Sequence, residues 1–300
     1  MSKKNLLDNY NIFELTNFGM NIFEEATVHT CIIGIQNFDE KGFTEIRKQV
    51  WSKEELNSKA EKIKLEELLD KNTLAINVTL STPEINLFSK FSQHKTLSEI
   101  CYIRQCIKTG DDKKYVAKSE NILEEPWKKS LRGKGIERYS IVEEDLYIKY
   151  GDFLARNWQN KSFYETPKIA VRETGNRIIA ALDLDNRYFL STLYAIYPKT
   201  EYDIDYLKYL LGILNSKMAT FFIKRIAFDL TEGAFTKVRT NQLGRLPIPS
   251  YEKSISTIVD KIIGKKQENK DTNEYELQID QLVYQLYGLT EEEIRIIEGA

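Results

Sequence analysis

Basic side chains sit beside glycines at two places in this 300-residue chain. One is Lys108-Thr109-Gly110-Asp111-Asp112-Lys113-Lys114, and the other is Leu131-Arg132-Gly133-Lys134-Gly135-Ile136-Glu137-Arg138. Lysine, threonine and backbone N–H groups bind phosphate oxygens, and a planar guanidinium can grip O6 and N7 of guanine with two hydrogen bonds. Glycine lets a backbone approach closely or take positive φ. Two later segments carry the same chemistry. Lys168 to Arg172 is an apolar strand with a basic residue at each end, followed by Glu173-Thr174-Gly175-Asn176. There Arg172 could meet a base and Thr174 a phosphate. Gly233 to Leu243 brings Phe235, Lys237, Arg239, Thr240 and Asn241 together. Asparagine reads adenine as arginine reads guanine.

Each site has a plainer alternative. Asp111 and Asp112 offset two of the lysines, so the first loop could be a solvated hairpin tip. Arg132, Lys134 and Arg138 could belong to a surface loop with ordinary ion pairs, for example Arg138 with Glu137 or Glu143. Arg172 and Glu173 could hold a sheet edge, and Phe235 could anchor its loop rather than stack near an extruded base.

Other chemistries are less well supplied. Cys31, Cys101 and Cys106, with His29 and His94, match no zinc spacing. Buried free thiols and a reducing, cytoplasmic setting are expected. The Asp/Glu-x-Lys pieces at Asp39, Asp111, Asp112 and Glu268 lie in polar contexts and make no convincing nuclease triad. No metal site is expected. The chain carries 43 basic and 45 acidic residues, so no global positive field marks a nucleic-acid partner. Locally, 101–175 and 205–250 are net basic and 251–300 is net acidic. No apolar run approaches the ~20 residues that span a bilayer.

The elements that position these residues follow from periodicity. Ile12 to Phe18 and Thr27 to Gln36 read as two strands, the second buried on both faces. Two strands cannot stand alone. Either later strands join them or the rest of their sheet is missing. Residues 52–71 read as a charged helix with Ser52 and Glu55 as a capping box, and 85–100 as a second helix with Leu87, Phe88, Phe91 and Leu97 inward. From residue 100 short strands and polar turns dominate. A helix over 203–228 has Asp203 or Asp205 as its cap and an interruption at Asn215-Ser216. Leu246-Pro247-Ile248-Pro249 is extended. Helices at 254–266 and 273–288 close the chain, with Gly288 as a C-cap and Thr290 and Glu293 capping a last turn.

The order of these motifs resembles a family. Ile107–Tyr115, Leu131–Tyr139, Lys168–Gly175, Leu211–Lys217, Gly233–Arg239 and Leu246–Pro249 are similar to the C-terminal target recognition region of TaqI-like adenine-specific DNA methyltransferases and type II restriction-modification enzymes. Asn21–Ile33 resembles the last strands of that family's catalytic domain, and Ile279–Thr290 its closing helix. The catalytic Asn/Asp-Pro-Pro-aromatic tetrapeptide is missing, since no two of the six prolines are adjacent. There is also no glycine-rich loop to cradle S-adenosylmethionine.

The spacing of short strands and turns suits a compact α+β module more than a parallel α/β sheet, and the resemblance divides the chain. Residues 1–38 are expected to be a methyltransferase remnant, 39–97 a mostly helical connector, 98–250 a mixed-sheet recognition domain and 251–300 a helical segment. Met1 is then expected to be a boundary within a longer reading frame. The expected partners are double-stranded DNA and a catalytic methyltransferase domain, upstream or in trans. No cofactor is expected in this chain, and S-adenosylmethionine belongs to the missing domain. The DNA-facing set is Lys108, Thr109, Lys113, Lys114, Arg132, Lys134, Arg138, Arg172, Thr174, Lys237, Arg239, Thr240 and Asn241. A trans-acting specificity subunit and a protein-interaction domain without DNA binding are the alternatives.

Overall fold

The computed structural model describes residues 7–18, 30–37, 43–50, 54–57, 60–70, 75–76, 82–121, 123–143, 145–226 and 236–299. They belong to two compact units, Met1–Ser89 and Lys90–Ala300. The chain is α+β throughout.

In the first unit, β1 (Tyr10–Phe18), β2 (Cys31–Asn37), β3 (Phe43–Val50) and β4 (Glu61–Lys64) form a sheet in the order β2-β1-β3-β4. The β1–β3 pair is parallel and the other two are antiparallel. Ile12, Leu15, Ile46, Ile63 and Ile85 fill its core. Later strands therefore join the first two.

Two expectations fail in this unit. The β2 strand is not buried on both faces. It pairs with β1 alone among the described residues, and Ile32, Ile33 and Ile35 are exposed. The helix expected over 52–71 is replaced by a single 3-10 turn at Glu54–Asn57, the strand β4 and one helical turn at Leu65–Leu68. The sequence Glu61-Lys62-Ile63-Lys64 places one buried isoleucine between exposed charged residues. That is the period-2 pattern of a half-buried strand, and pairing with β3 satisfies it. Ser52, the expected cap, lies outside the described residues, as do His29 and Phe235.

The helix expected over 85–100 is also shorter. Helix α1 spans Thr82–Phe91 and ends in a turn at 92–94. Thr96 and Glu99 then cap a separate single turn at Leu97–Ile100, with Glu99 accepting from the Thr96 N–H at 2.6 Å. A strong local cap wins over continuation of the apolar stripe.

The second unit holds two four-stranded sheets. The strands β5 (Cys101–Gln105), β6 (Val116–Lys118), β7 (Trp127–Leu131), β8 (Leu146–Lys149), β9 (Lys168–Arg172), β10 (Ala180–Asp183), β11 (Tyr188–Phe189) and β12 (Leu193–Pro198) build them. The orders are β11-β7-β8-β6 and β10-β9-β12-β5. All neighbours are antiparallel except β7 and β11. Leu131, Ala170, Ala181, Phe189, Leu193 and Ala195 form one buried cluster drawing on both sheets.

Beneath β9, Lys168 is wholly buried. Its ammonium donates to Asp183 at 2.9 Å and to the Tyr164 carbonyl at 2.6 Å. Arg187 donates to the other Asp183 oxygen at 2.8 Å. Burial pushes the Lys168 ammonium below its ordinary value, opposed by the Asp183 carboxylate. The lysine expected at the strand's end is thus a core residue.

The helices α2 (Ile204–Asn215), α3 (Lys217–Ile226), α4 (Lys253–Gln267), α5 (Asn273–Leu286) and α6 (Glu291–Glu298) complete the unit. Asp203 caps α2 by accepting from the Tyr206 N–H at 2.8 Å. Asn215-Ser216 splits the expected 203–228 helix in two, and Ser216 is the C-cap of α2. Buried Asn215 bonds both ways with the Ala180 backbone at 3.0 Å, fastening α2 to β10. Pro247–Ile248 is extended and pairs with Lys95–Thr96. No described helix is long and apolar enough to cross a membrane.

Candidate nucleic-acid interface

The loop after β7 is held from inside the protein. Arg132 donates from Nε to Glu143 Oε2 at 2.8 Å and from a terminal nitrogen to Oε1 at 2.6 Å. Lys118 approaches the same carboxylate at 3.2 Å. Burial works to raise the Glu143 pKa, but the hydrogen bonds from Arg132 and Lys118 outweigh it, and the carboxyl is held below its ordinary value.

Gly133 and Gly135 allow close approach, and what approaches is protein. A Cβ at Gly133 would stand 3.1 Å from the Thr192 carbonyl, and one at Gly135 would stand 2.8 Å from Glu143 Cβ. Arg172 closes the loop by donating to the carbonyls of Gly133 at 2.8 Å and Ile136 at 2.6 Å. Arg138 reaches the other way, to the Asn215 carbonyl and to Glu276 on α5, both at 2.7 Å. Arg132, Arg138 and Arg172, all singled out from sequence, therefore use donors internally.

The outward groups are at the loop tips. Lys134 is exposed on the turn Gly133–Gly135. Thr174 is exposed and pairs with Lys237 in a two-stranded ribbon of 174–175 and 236–237. Lys237 is 61% exposed, with Nζ 2.9 Å from Glu173. Arg239 and Asn241 are exposed, and Thr240 is half-buried. The Gln242 side chain accepts from the Arg239 N–H at 2.8 Å, and Asn241 Oδ1 accepts from the Gln242 N–H at 3.0 Å.

Short links bring these tips together. The Gly133 N–H donates to Thr192 Oγ1 at 2.8 Å, the Glu173 N–H to the Thr192 carbonyl at 3.0 Å, and the Val238 N–H to the Glu173 carbonyl at 2.9 Å. Tyr194 supports the far end by donating to the Val238 carbonyl at 2.8 Å. Lys134, Thr174, Lys237 and Arg239 thus stand on neighbouring, rigidly based loops.

The 108–114 loop forms a second group. Gly110 takes φ +83° at the turn. Thr109 is buried, and its hydroxyl donates to the Asp112 carboxylate. Lys108, Lys113 and Lys114 are exposed. The loop's backbone bonds run to the 155–156 segment, with Lys108 and Arg156 bridged at 3.0 Å in both directions.

Sequence reasoning passed over Asn176 and Arg177. Both are exposed at the tip of the β9–β10 hairpin, beside Thr174 and Gly175. A basic residue directly following a Gly-Asn turn was the available signal.

Cys101 and Cys106 are buried, and burial pushes both thiols up to about 12. Burial also lowers the His94 pKa. Among the described residues no three His, Cys, Asp or Glu side chains are placed to hold a metal ion.

Comparison with known proteins bears on the same segment. Residues 128–248 match the TaqI-like C-terminal specificity domain. This stretch contains the 133, 173 and 238 loops just described. The specificity-domain match leaves the rest of the chain unassigned, and one solved protein shares its fold over nearly the whole chain. The Type IIL restriction-modification enzyme MmeI, solved in complex with DNA, is 14% identical with a TM-score of 0.52. That match covers 98% of this chain and 46% of MmeI. The type IIG restriction endonuclease BpuSI is 11% identical with a TM-score of 0.41, covering 95% of this chain and 45% of that one. The chain spans about half the length of these solved proteins.

Proposed function

We propose that the TaqI-like specificity domain of this chain reads duplex DNA for a restriction-modification enzyme that methylates adenine at N6. The observation that carries this reading is the family match over 128–248, which falls on the loops that present Lys134, Thr174, Lys237 and Arg239. Lys134, Lys237 and Lys108 with Lys113 and Lys114 contact phosphates. Arg239 and Asn241 face base edges.

Methyl transfer belongs to another domain, upstream or in a second chain. Among the described residues, the Gly-x-Gly turn offers no open cradle for S-adenosylmethionine. The one Gly-x-Gly turn, Gly133–Gly135, is filled by Thr192 and Glu143. No catalytic step is assigned to this chain.

A protein-interaction role draws on a different surface. Helices α4 and α5 form an apolar groove lined by Ile258, Leu277 and Leu282, with Leu277 exposed.

The test is fluorescence anisotropy of the chain with randomised duplex across a salt series. A DNA reader loses affinity linearly in log–log form, with a slope of about −0.9 per phosphate contacted. Absence of binding at low salt would reject the DNA reading in favour of the protein-interaction role.

A further inference from the structure

Every arginine of 128–248 but one has a hydrogen bond, ion pair or ring contact among the described residues. Arg132, Arg138 and Arg172 are bonded internally as described. Arg156 donates to the Cys106 carbonyl at 3.1 and 3.0 Å, and Arg187 to Asp183. Arg225 lies over the Phe221 ring, and Arg239 and Arg245 have contacts of their own. Arg177 is exposed, and among the described residues its guanidinium makes no hydrogen bond, ion pair or ring contact.

Its backbone is nonetheless fixed on both sides. Before it, Gly175 pairs with Thr236. After it, the Ile178 N–H donates to Thr220 Oγ1 at 3.3 Å and the Ile178 side chain is buried. The Arg172 N–H donates to the Ile179 carbonyl at 2.9 Å and closes the hairpin. The turn is tight, since a Cβ at Gly175 would stand 3.0 Å from the Arg177 carbonyl. A rigid base carrying a free bidentate donor is the arrangement that base reading needs, because little order has to be imposed on binding.

We infer that Arg177 is a specificity-determining residue that reads a guanine, with Thr174 and Lys237 beside it on phosphate. This inference rests on the DNA reading above. A lysine at this position keeps the charge but loses the planar fork, so charge and base reading can be separated.

The experiment selects sites from a randomised duplex pool with the full wild-type chain, R177K and R177A. Anisotropy is then measured on the selected and a scrambled duplex. The expected result is a guanine preference in the wild type that falls about 5- to 150-fold in both variants, the range a bidentate pair supplies. R177K should keep wild-type affinity and salt slope on the scrambled duplex. Identical selection by all three chains would overturn the inference. So would a uniform loss in R177A that R177K restores in full, which marks a phosphate contact. If the wild type binds no duplex at all, the DNA reading has failed and takes this inference with it.

Discussion

Arg132 meets the carboxylate of Glu143 in a two-bonded fork, at 2.8 and 2.6 Å. The guanidinium donors that could have faced a guanine are turned on the protein. The Gly135 carbonyl in turn accepts from the Val142 N–H at 2.8 Å and the Glu143 N–H at 3.2 Å, so the fork braces the base of the Lys134 turn. The structure thereby divides the basic loops into groups that build the surface and groups that face outward from it.

This division has a direct consequence for R132A. Glu143 would keep its burial and lose its main partner. The variant should lose about 1–3 kcal/mol of stability, as for a charged hydrogen bond left half-made, seen as a lower urea midpoint. Its affinity for DNA in the folded state should not change. Altered base preference at unchanged stability would contradict the assignment.

Glu143 and Asp280 should give opposite pH signatures. The Glu143 carboxyl is held below 4.5, so its contribution is present above that value and is lost as pH falls through the lowered folded value. Asp280 is raised above 3.8, chiefly by burial, against the hydrogen bond from the Lys217 N–H. Its contribution is full below 3.8 and is lost as pH rises through the raised value. D280N should therefore be more stable than wild type at pH 7, with the gap closing in acid. E143Q should be less stable at pH 7, with its gap also closing in acid. Urea midpoints at pH 7 and pH 4 read both.

The buried Lys168–Asp183–Arg187 cluster should tolerate no half-removal. D183N leaves two cations without their shared carboxylate. Breaking a buried pair costs about 3–5 kcal/mol. D183N should lower the melting temperature sharply, whereas E268Q, which touches only the exposed Lys270 pair, should not.

Thiol reactivity should sort the three cysteines. Cys31 is exposed, while Cys101 and Cys106 are buried with thiols pushed up to about 12. The native chain should show one fast thiol towards a disulfide reagent at pH 8 and two more only in denaturant. C31S should abolish the fast phase.

Local signals were the legible part of this chain. Asp203, Thr290 with Glu293, and the two prolines near residue 248 act within a few residues, and each occupies its expected place. The alternation around Ile63 was also local, but it was masked by helix-favouring Glu, Lys and Leu on either side. The fates of the arginines were not legible. Arg138 ends against Asn215 and Glu276, and Arg172 against Gly133 and Ile136, partners brought close only by tertiary packing. Charge and glycine content marked loops that carry exposed basic residues, but which donors remained free depended on acceptors elsewhere in the fold.

The most direct test of the central claim is hydrogen exchange of the chain with and without duplex DNA, read by mass spectrometry. Exchange should slow over 173–177 and 236–241 when duplex is present, relieved by high salt, with helices α4 and α5 unchanged. Protection confined to α4 and α5, or none at 173–177 and 236–241 under saturating duplex, would contradict it.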